Sequence, residues 1–151
     1  MKHLIQKAGE HNCLVYSMSM LLGLSVEELE ARLGNKGNEK VWPELPEPHC
    51  YRNYHILELI DIAYSMKLAM ICYYKEIFLS PTLPYTGAQI PIKLTYTHVH
   101  ELLANTDALL VTGNHALAWN GTYVLDPNGI MKSLSDVYDN LTMFFLIRKM
   151  E

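Results

Sequence analysis

Residues 107–129, DALLVTGNHALAWNGTYVLDPNG, decide the fold. Two apolar runs flank Asn120-Gly121, a dipeptide that suits a type I′ hairpin because both residues tolerate positive φ. With those two residues as the turn, Trp119 faces Thr122, Ala118 faces Tyr123, Leu117 faces Val124, Ala116 faces Leu125 and His115 faces Asp126. Side chains directly across an antiparallel pair stand about 5 Å apart at Cβ. The only histidine and the only carboxylate of the two strands therefore fall side by side. A carboxylate beside an imidazole fixes its tautomer and stabilises its protonated form. That is half of a catalytic triad, and equally the make-up of a plain surface ion pair. The rest of the chain has to decide.

The missing part is a nucleophile, and Cys13 is the candidate. Residues 1–12 are a polar lead-in interrupted by Gly9, and Asn12 is a good N-cap. A helix follows over 13–22. Leu14, Met18, Leu21 and Leu22 form one stripe, Val15, Tyr16 and Met20 fill most of the remainder, and only Ser17 and Ser19 are polar. A helix apolar almost all round is a buried, central one. Its first residue is Cys13. A helix N-terminus favours the thiolate, which is the nucleophilic form, and its free N–H groups suit a developing oxyanion. Free cysteines are also common as inert core residues. Position at the first turn of a buried helix favours function for this one.

Downstream, Ser25-Val-Glu-Glu28 reads as a capping box for a helix over 26–33 that Gly34 stops. Residues 34–52 form a loop whose prolines, Pro43, Pro46 and Pro48, exclude a long helix. Such a loop suits a substrate-shaping role, although Trp42, His49 and Tyr51 each read better as core cover. An amphipathic helix over 53–67 turns Ile56, Leu59, Ile60 and Ala63 inward. Residues 68–74 read as a buried strand with Cys72 inert inside it, 75–96 as irregular with a short edge strand at 89–93, and 97–104 as a helix whose His98 and His100 are exposed or capping. Strands over 107–112, 115–120, 122–126 and 141–149 close the chain, with one helical turn at 133–138. Pro127-Asn128-Gly129 is a turn that ends the strand just past Asp126. Helices first and an antiparallel sheet last make an α+β layout.

Composition narrows the function classes. A chain of 151 residues, half of it hydrophobic and 19 % charged, suits one globular domain. A formal charge of −4 with no Lys/Arg run predicts no nucleic-acid partner. Cys13, Cys50 and Cys72 are odd in number and without CxxC spacing, which predicts a reducing, cytoplasmic setting rather than a disulfide framework. The longest apolar run, 13–24, is too short to span a bilayer, so no membrane association is expected. A zinc site of His11, Cys13, His115 and Asp126 has too little ligand-pair spacing to compete, and no metal or cofactor is expected.

The order Cys, then a distant His, then Asp follows papain-type logic. Residues 12–28, NCLVYSMSMLLGLSVEE, and the block 107–129, with its H-A-L-A-W-x-G leading to D-P-x-G, resemble the two active-site blocks of papain-like cysteine peptidases of the C39-like group. The resemblance implies a papain-like α+β fold over 1–151, with the cysteine on a buried central helix packed on a C-terminal antiparallel sheet. It implies Cys13 as nucleophile, His115 as general base and Asp126 as its orienting partner. It implies that Gln6, seven residues before Cys13, forms an oxyanion hole with the Cys13 N–H. The partner implied is a peptide or protein substrate, cleaved at a peptide or isopeptide bond. An acyltransferase or transglutaminase on the same site, or a catalytically silent binding or inhibitor module, are the rival outcomes. Leu14 departs from the small residue that usually follows the cysteine, and the short chain limits substrate-binding insertions.

Overall fold

A computed structural model describes residues 1–7, 12–35, 37, 39–47, 49–79 and 90–150. The expected breaks at Gly9, Pro48, Pro81 and Pro84, and Gln89 of the expected edge strand, lie outside these residues.

The N-terminal half is helical. Helix α1 (Cys13–Leu22) has the predicted bounds, and Val15 to Leu22 are all buried, including Ser17 and Ser19. Asn12 precedes it but makes no side-chain capping bond, because its backbone (φ −130°, ψ 39°) does not adopt the extended cap conformation. Helix α2 (Val26–Leu33) starts where predicted, with the Ser25 hydroxyl accepting the Glu28 N–H at 3.0 Å. Helix α3 (Ile56–Ser65) is shorter than the periodicity suggested. Asn53 and Lys67 both lie in the left-handed region, which a helix interior excludes, and His55 with Glu58 forms the capping box instead.

The sheet is six-stranded and antiparallel throughout, in the order β1 (Leu68–Tyr74), β8 (Leu141–Lys149), β4 (Ala108–Thr112), β5 (His115–Trp119), β6 (Val124–Leu125), β7 (Met131–Lys132). Strand β1 is an edge strand rather than a buried one, and Cys72 is exposed. A lone apolar run reads alike for an edge and a centre; only its neighbours distinguish them. The stretch expected to be irregular holds a second, two-stranded sheet of β2 (Glu76–Leu79) and β3 (Ile90–Lys93). Helix α4 (Tyr96–Leu103) begins one residue early because Thr95, not a later threonine, caps it through the His98 N–H at 3.2 Å. Helix α5 (Leu134–Val137) and a 3₁₀ turn at Tyr138–Asn140 replace the single turn expected.

Strand alternation separates two cores. Leu109, Ala116, Ala118, Leu125 and Phe145 cluster with Val15, Met18, Leu29 and Leu59 of the three N-terminal helices. Ala108, Leu110, Leu117, Trp119, Val124 and Phe144 cluster with Val99 and Leu103 of α4 and with Leu134 and Val137 of α5. The HALAW segment thus alternates small and large residues, and its alanines let α1 lie close. Each buried Val, Leu, Met or Phe side chain in these two cores contributes about 1.5–3 kcal/mol. The Ser17 hydroxyl donates to the Ala116 carbonyl at 3.0 Å and ties α1 to β5.

The hairpin register differs from expectation by two. Trp119 pairs with Val124 and Ala118 with Leu125. Gly121 has positive φ but Asn120 does not, so the turn is not type I′. Instead the Asn120 side-chain carbonyl accepts the N–H groups of Thr122 and Tyr123 at 2.9 and 2.7 Å, which widens the loop to 120–123. Gly121 packs so closely on Asn105 that an added Cβ would stand 3.2 Å from its Cα.

Candidate active site

Because the register shift is even, it moves residues along the strand without changing their face. Continued past its last pair, the β5–β6 ladder would set Asp126 opposite Leu117, so His115 and Asp126 are diagonal neighbours rather than direct partners. A diagonal separation lies within reach of a histidine. The His115 Nε2 meets Asp126 Oδ1 at 2.8 Å.

Cys13 reaches the same imidazole. A hydrogen bond with Cys13 is the largest influence on the His115 ring; burial opposes it and Asp126 adds to it, and the net result pushes the imidazole up from 6.5 to about 9. With Nε2 engaged by Asp126, Nδ1 is the nitrogen left for the thiol. At neutral pH the ring is then an imidazolium, and both nitrogens donate. Cys13 is partly exposed, whereas Cys50 is buried. The first helical bond of α1 runs from the Tyr16 N–H to the Asn12 carbonyl at 3.1 Å, so the Cys13 N–H has no partner within the helix.

Asp126 is the most enclosed member, with 1 % of its side chain exposed against 36 % for His115. Burial alone would push its carboxyl up. The Asn128 N–H, the His115 ring and Lys132 outweigh that and hold it below the ordinary aspartate value of 3.8. The Asn128 N–H donates to Oδ1 at 2.9 Å and the Lys132 Nζ to Oδ2 at 3.0 Å. Carboxylates so satisfied stay ionised when buried.

Gln6 comes to the site on the N-terminal segment. Its N–H donates to the Pro127 carbonyl at 2.6 Å, and the His3 Nε2 meets the Asp126 carbonyl at 2.6 Å. A cavity of about 700 Å³ opens in front of these groups. Gln6, Asn12, Cys13, His49, Asn114 and His115 supply polar lining, and Leu14, Tyr54, Ile56, Val111, Met143 and Phe145 supply an apolar wall. His49 is therefore a cavity residue rather than core cover, while Trp42 is 49 % exposed. Asn12 Oδ1 is buried with no hydrogen-bond partner among the described residues.

Three of the four residues singled out in the sequence, Gln6, Cys13 and His115, thus border one cavity, and Asp126 sits behind His115 without lining it. Two further contributors, His3 and Lys132, went unread. Lys132 left a signal: the Pro127-Asn128-Gly129 turn folds the chain back, and Lys132 pairs with Val124, diagonal to Asp126 on the other side from His115. Reading that turn as a second hairpin would have found it. Among the described residues no three His, Cys, Asp or Glu side chains are grouped to hold a metal ion, and His11 lies outside them.

No family profile matches the sequence, and no curated protein does. Among solved structures the fold is similar to the crystal structure of a double glycine motif protease from an AMS/PCAT transporter, in complex with the leader peptide. The TM-score is 0.56 at 13 % identity, over 97 % of this chain and 90 % of that one. The fold is papain-like α+β, of the C39 kind. Among the described residues no helix is long and apolar enough to cross a membrane.

Proposed function

We propose that the protein is a cysteine peptidase, hydrolysing a peptide or isopeptide bond, with 1–151 as one papain-like domain. The observation that carries the reading is that His115 meets both Cys13 and Asp126 at an open cavity bordered by Cys13, His115 and Gln6. The fold neighbour is a double glycine motif protease solved in complex with the leader peptide, which favours a peptide substrate here too.

The chemistry follows from the array. In the resting site His115 already holds the proton that Cys13 has given up, a thiolate–imidazolium pair. The sulfur attacks the substrate carbonyl carbon; a C–S bond forms and the carbonyl π pair moves to oxygen. The Cys13 N–H and the Gln6 carboxamide receive that oxyanion, each worth about 3 kcal/mol in comparable sites. His115 then gives its proton to the leaving amine as the C–N bond breaks. Water, relieved of a proton by His115, attacks the thioester, and the C–S bond breaks to release the acid. Asp126 keeps the ring oriented throughout. The odd cysteine count and the need for a reduced Cys13 suit the cytoplasm.

The test pairs reactivity with turnover. Iodoacetamide at pH 6 should label Cys13 much faster than Cys50 and Cys72, and His115→Ala should abolish the difference. A peptide library screened by mass spectrometry should then show cleavage that Cys13→Ala lacks. Equal labelling of the three cysteines would overturn the reading. Selective labelling without hydrolysis, but with transfer to added amines, would convert it to acyl transfer.

A further inference from the structure

The Asp126 carboxylate has two cations on it, one per oxygen. His115 takes Oδ1 at 2.8 Å, and the Lys132 Nζ takes Oδ2 at 3.0 Å. They arrive from the strands on either side of β6. Lys132 stands opposite Val124 on β7, and Asp126 follows Val124 by two, so the lysine crosses the ladder diagonally to reach it. A buried carboxylate with a single partner can swing its plane about χ2. With an ammonium on one oxygen and the Asn128 N–H on the other, that plane is fixed.

We infer that Lys132 is a positioning residue of the site: seated on the second oxygen of Asp126, it locks the carboxylate toward His115 and shares the negative charge that His115 would otherwise hold alone. The inference rests on the proposed role of His115 as the base. Its consequence is chemical. A lone carboxylate 2.8 Å from the imidazolium binds the proton as tightly as it can, and a base that must hand that proton to a leaving amine on every cycle works best when its hold is tempered. Lys132 neutralises part of the carboxylate and repels the imidazolium from behind, so it lowers the hold without removing the orienting bond.

Other charged or titratable groups facing this array are few among the described residues. Cys13 meets the ring from α1, His3 meets the Asp126 carbonyl from the N-terminal segment, His49 lines the cavity from the 39–52 loop, and Asp136 of α5 lies near Lys132. None of these others takes the second carboxylate oxygen, so among the described residues Lys132 is the cation whose removal leaves His115 the sole charged partner of the Asp126 carboxylate.

The test is a ¹H–¹³C NMR titration of the His115 Cε1–H, assigned with His115→Ala, in the full chain. Lys132→Met should raise the midpoint of the ring by about half to one pH unit, the size expected for losing a like charge one carboxylate away. Lys132→Arg, which keeps the charge and the donor, should restore the parent midpoint. Should Lys132→Met fail to fold, Lys132→Gln retains a donor without the charge and should show the same upward shift. A midpoint unmoved or lowered in the neutral variants overturns the inference, as does an equal shift in Lys132→Arg. A parent midpoint near 6.5 would instead overturn the pairing of His115 with Cys13, and with it the proposed function. The two failures are therefore read separately.

Discussion

Raising the pH tests the Cys13–His115 contact through stability rather than activity. The ring is pushed up to about 9 from 6.5, first by its hydrogen bond with Cys13, against burial, and then by Asp126. A group whose folded pKa lies above its unfolded one adds stability that is complete below about pH 6.5 and is lost as the pH climbs through about 9. Taken whole, that gap corresponds to about 3 kcal/mol. The His115 side chain keeps 36 % of its surface in solvent, and screening there reduces the figure to about 1–2 kcal/mol. Cys13→Ala removes the largest cause and should remove most of the linkage with it. The assay is urea unfolding at pH 6.5 and pH 9.5 for both proteins, with m-values compared. Titrations of distant lysines and tyrosines are common to both and cancel. The parent should lose about 1 kcal/mol more than the variant across that interval. Parallel losses in the two proteins would refute the contact, whatever the peptidase assays show.

Asp126 responds on the acid side. Its carboxyl is held below 3.8, so its contribution is present above about pH 4 and disappears as the pH falls through the depressed value; Asp126→Asn should flatten the acid limb of a stability–pH curve measured by thermal melting. Asp126→Ala leaves the His115 ring, the Lys132 ammonium and the Asn128 N–H facing a vacated, nearly solvent-free position, a loss of about 3 kcal/mol that equilibrium unfolding reads directly. Ser17→Ala removes the bond between α1 and the Ala116 carbonyl; unfolding should show a loss of about 1 kcal/mol, and Cys13 labelling should slow as the helix gains freedom. At Gly37 (φ +68°) a Cβ would stand 2.6 Å from the Tyr54 ring, which walls the cavity; Gly37→Ala should cost about 1–3 kcal/mol in a thermal melt and raise KM on a cleaved peptide.

Much of the fold was legible because local chemistry and global packing agree over the longest elements. Helix α1 has its predicted ends because its apolar residues leave no polar face, and Ser25 and Gly34 mark α2 without tertiary help. What failed was decided by neighbours. Strand β1 looks central by composition and lies at an edge. The β2–β3 pair joins residues separated by a proline-rich segment, a long-range choice that no window of sequence contains. Asn120-Gly121 suggested the tightest turn, but the close seat of Gly121 on Asn105 and the two bonds to the Asn120 carboxamide select a wider one. The His115–Asp126 juxtaposition survived that error only because the slip was by two. A slip by one would have put the carboxylate on the opposite face from the ring.

The turn at 126–129 explains how groups from three distant parts of the chain come to share one cavity. Asp126 enters it and sends its carboxylate to His115; its N–H donates to the Ile130 carbonyl at 3.1 Å, and its carbonyl receives the Gly129 N–H at 2.9 Å. Pro127 has no N–H to offer, but its carbonyl accepts the Gln6 N–H, and Ile5 lies over Gly129 within 3.6–3.8 Å of where a Cβ would stand. His3 closes the arrangement on the Asp126 carbonyl. The N-terminal segment is thus docked along the same four-residue turn that carries the Asp126 carboxylate to His115. A displacement of this turn moves Gln6 and Asp126 together, so the Gln6 side and the His115 side of the cavity stay in register with each other. Cys13, anchored independently by the Ser17 bond between α1 and β5, is the reference against which both are set.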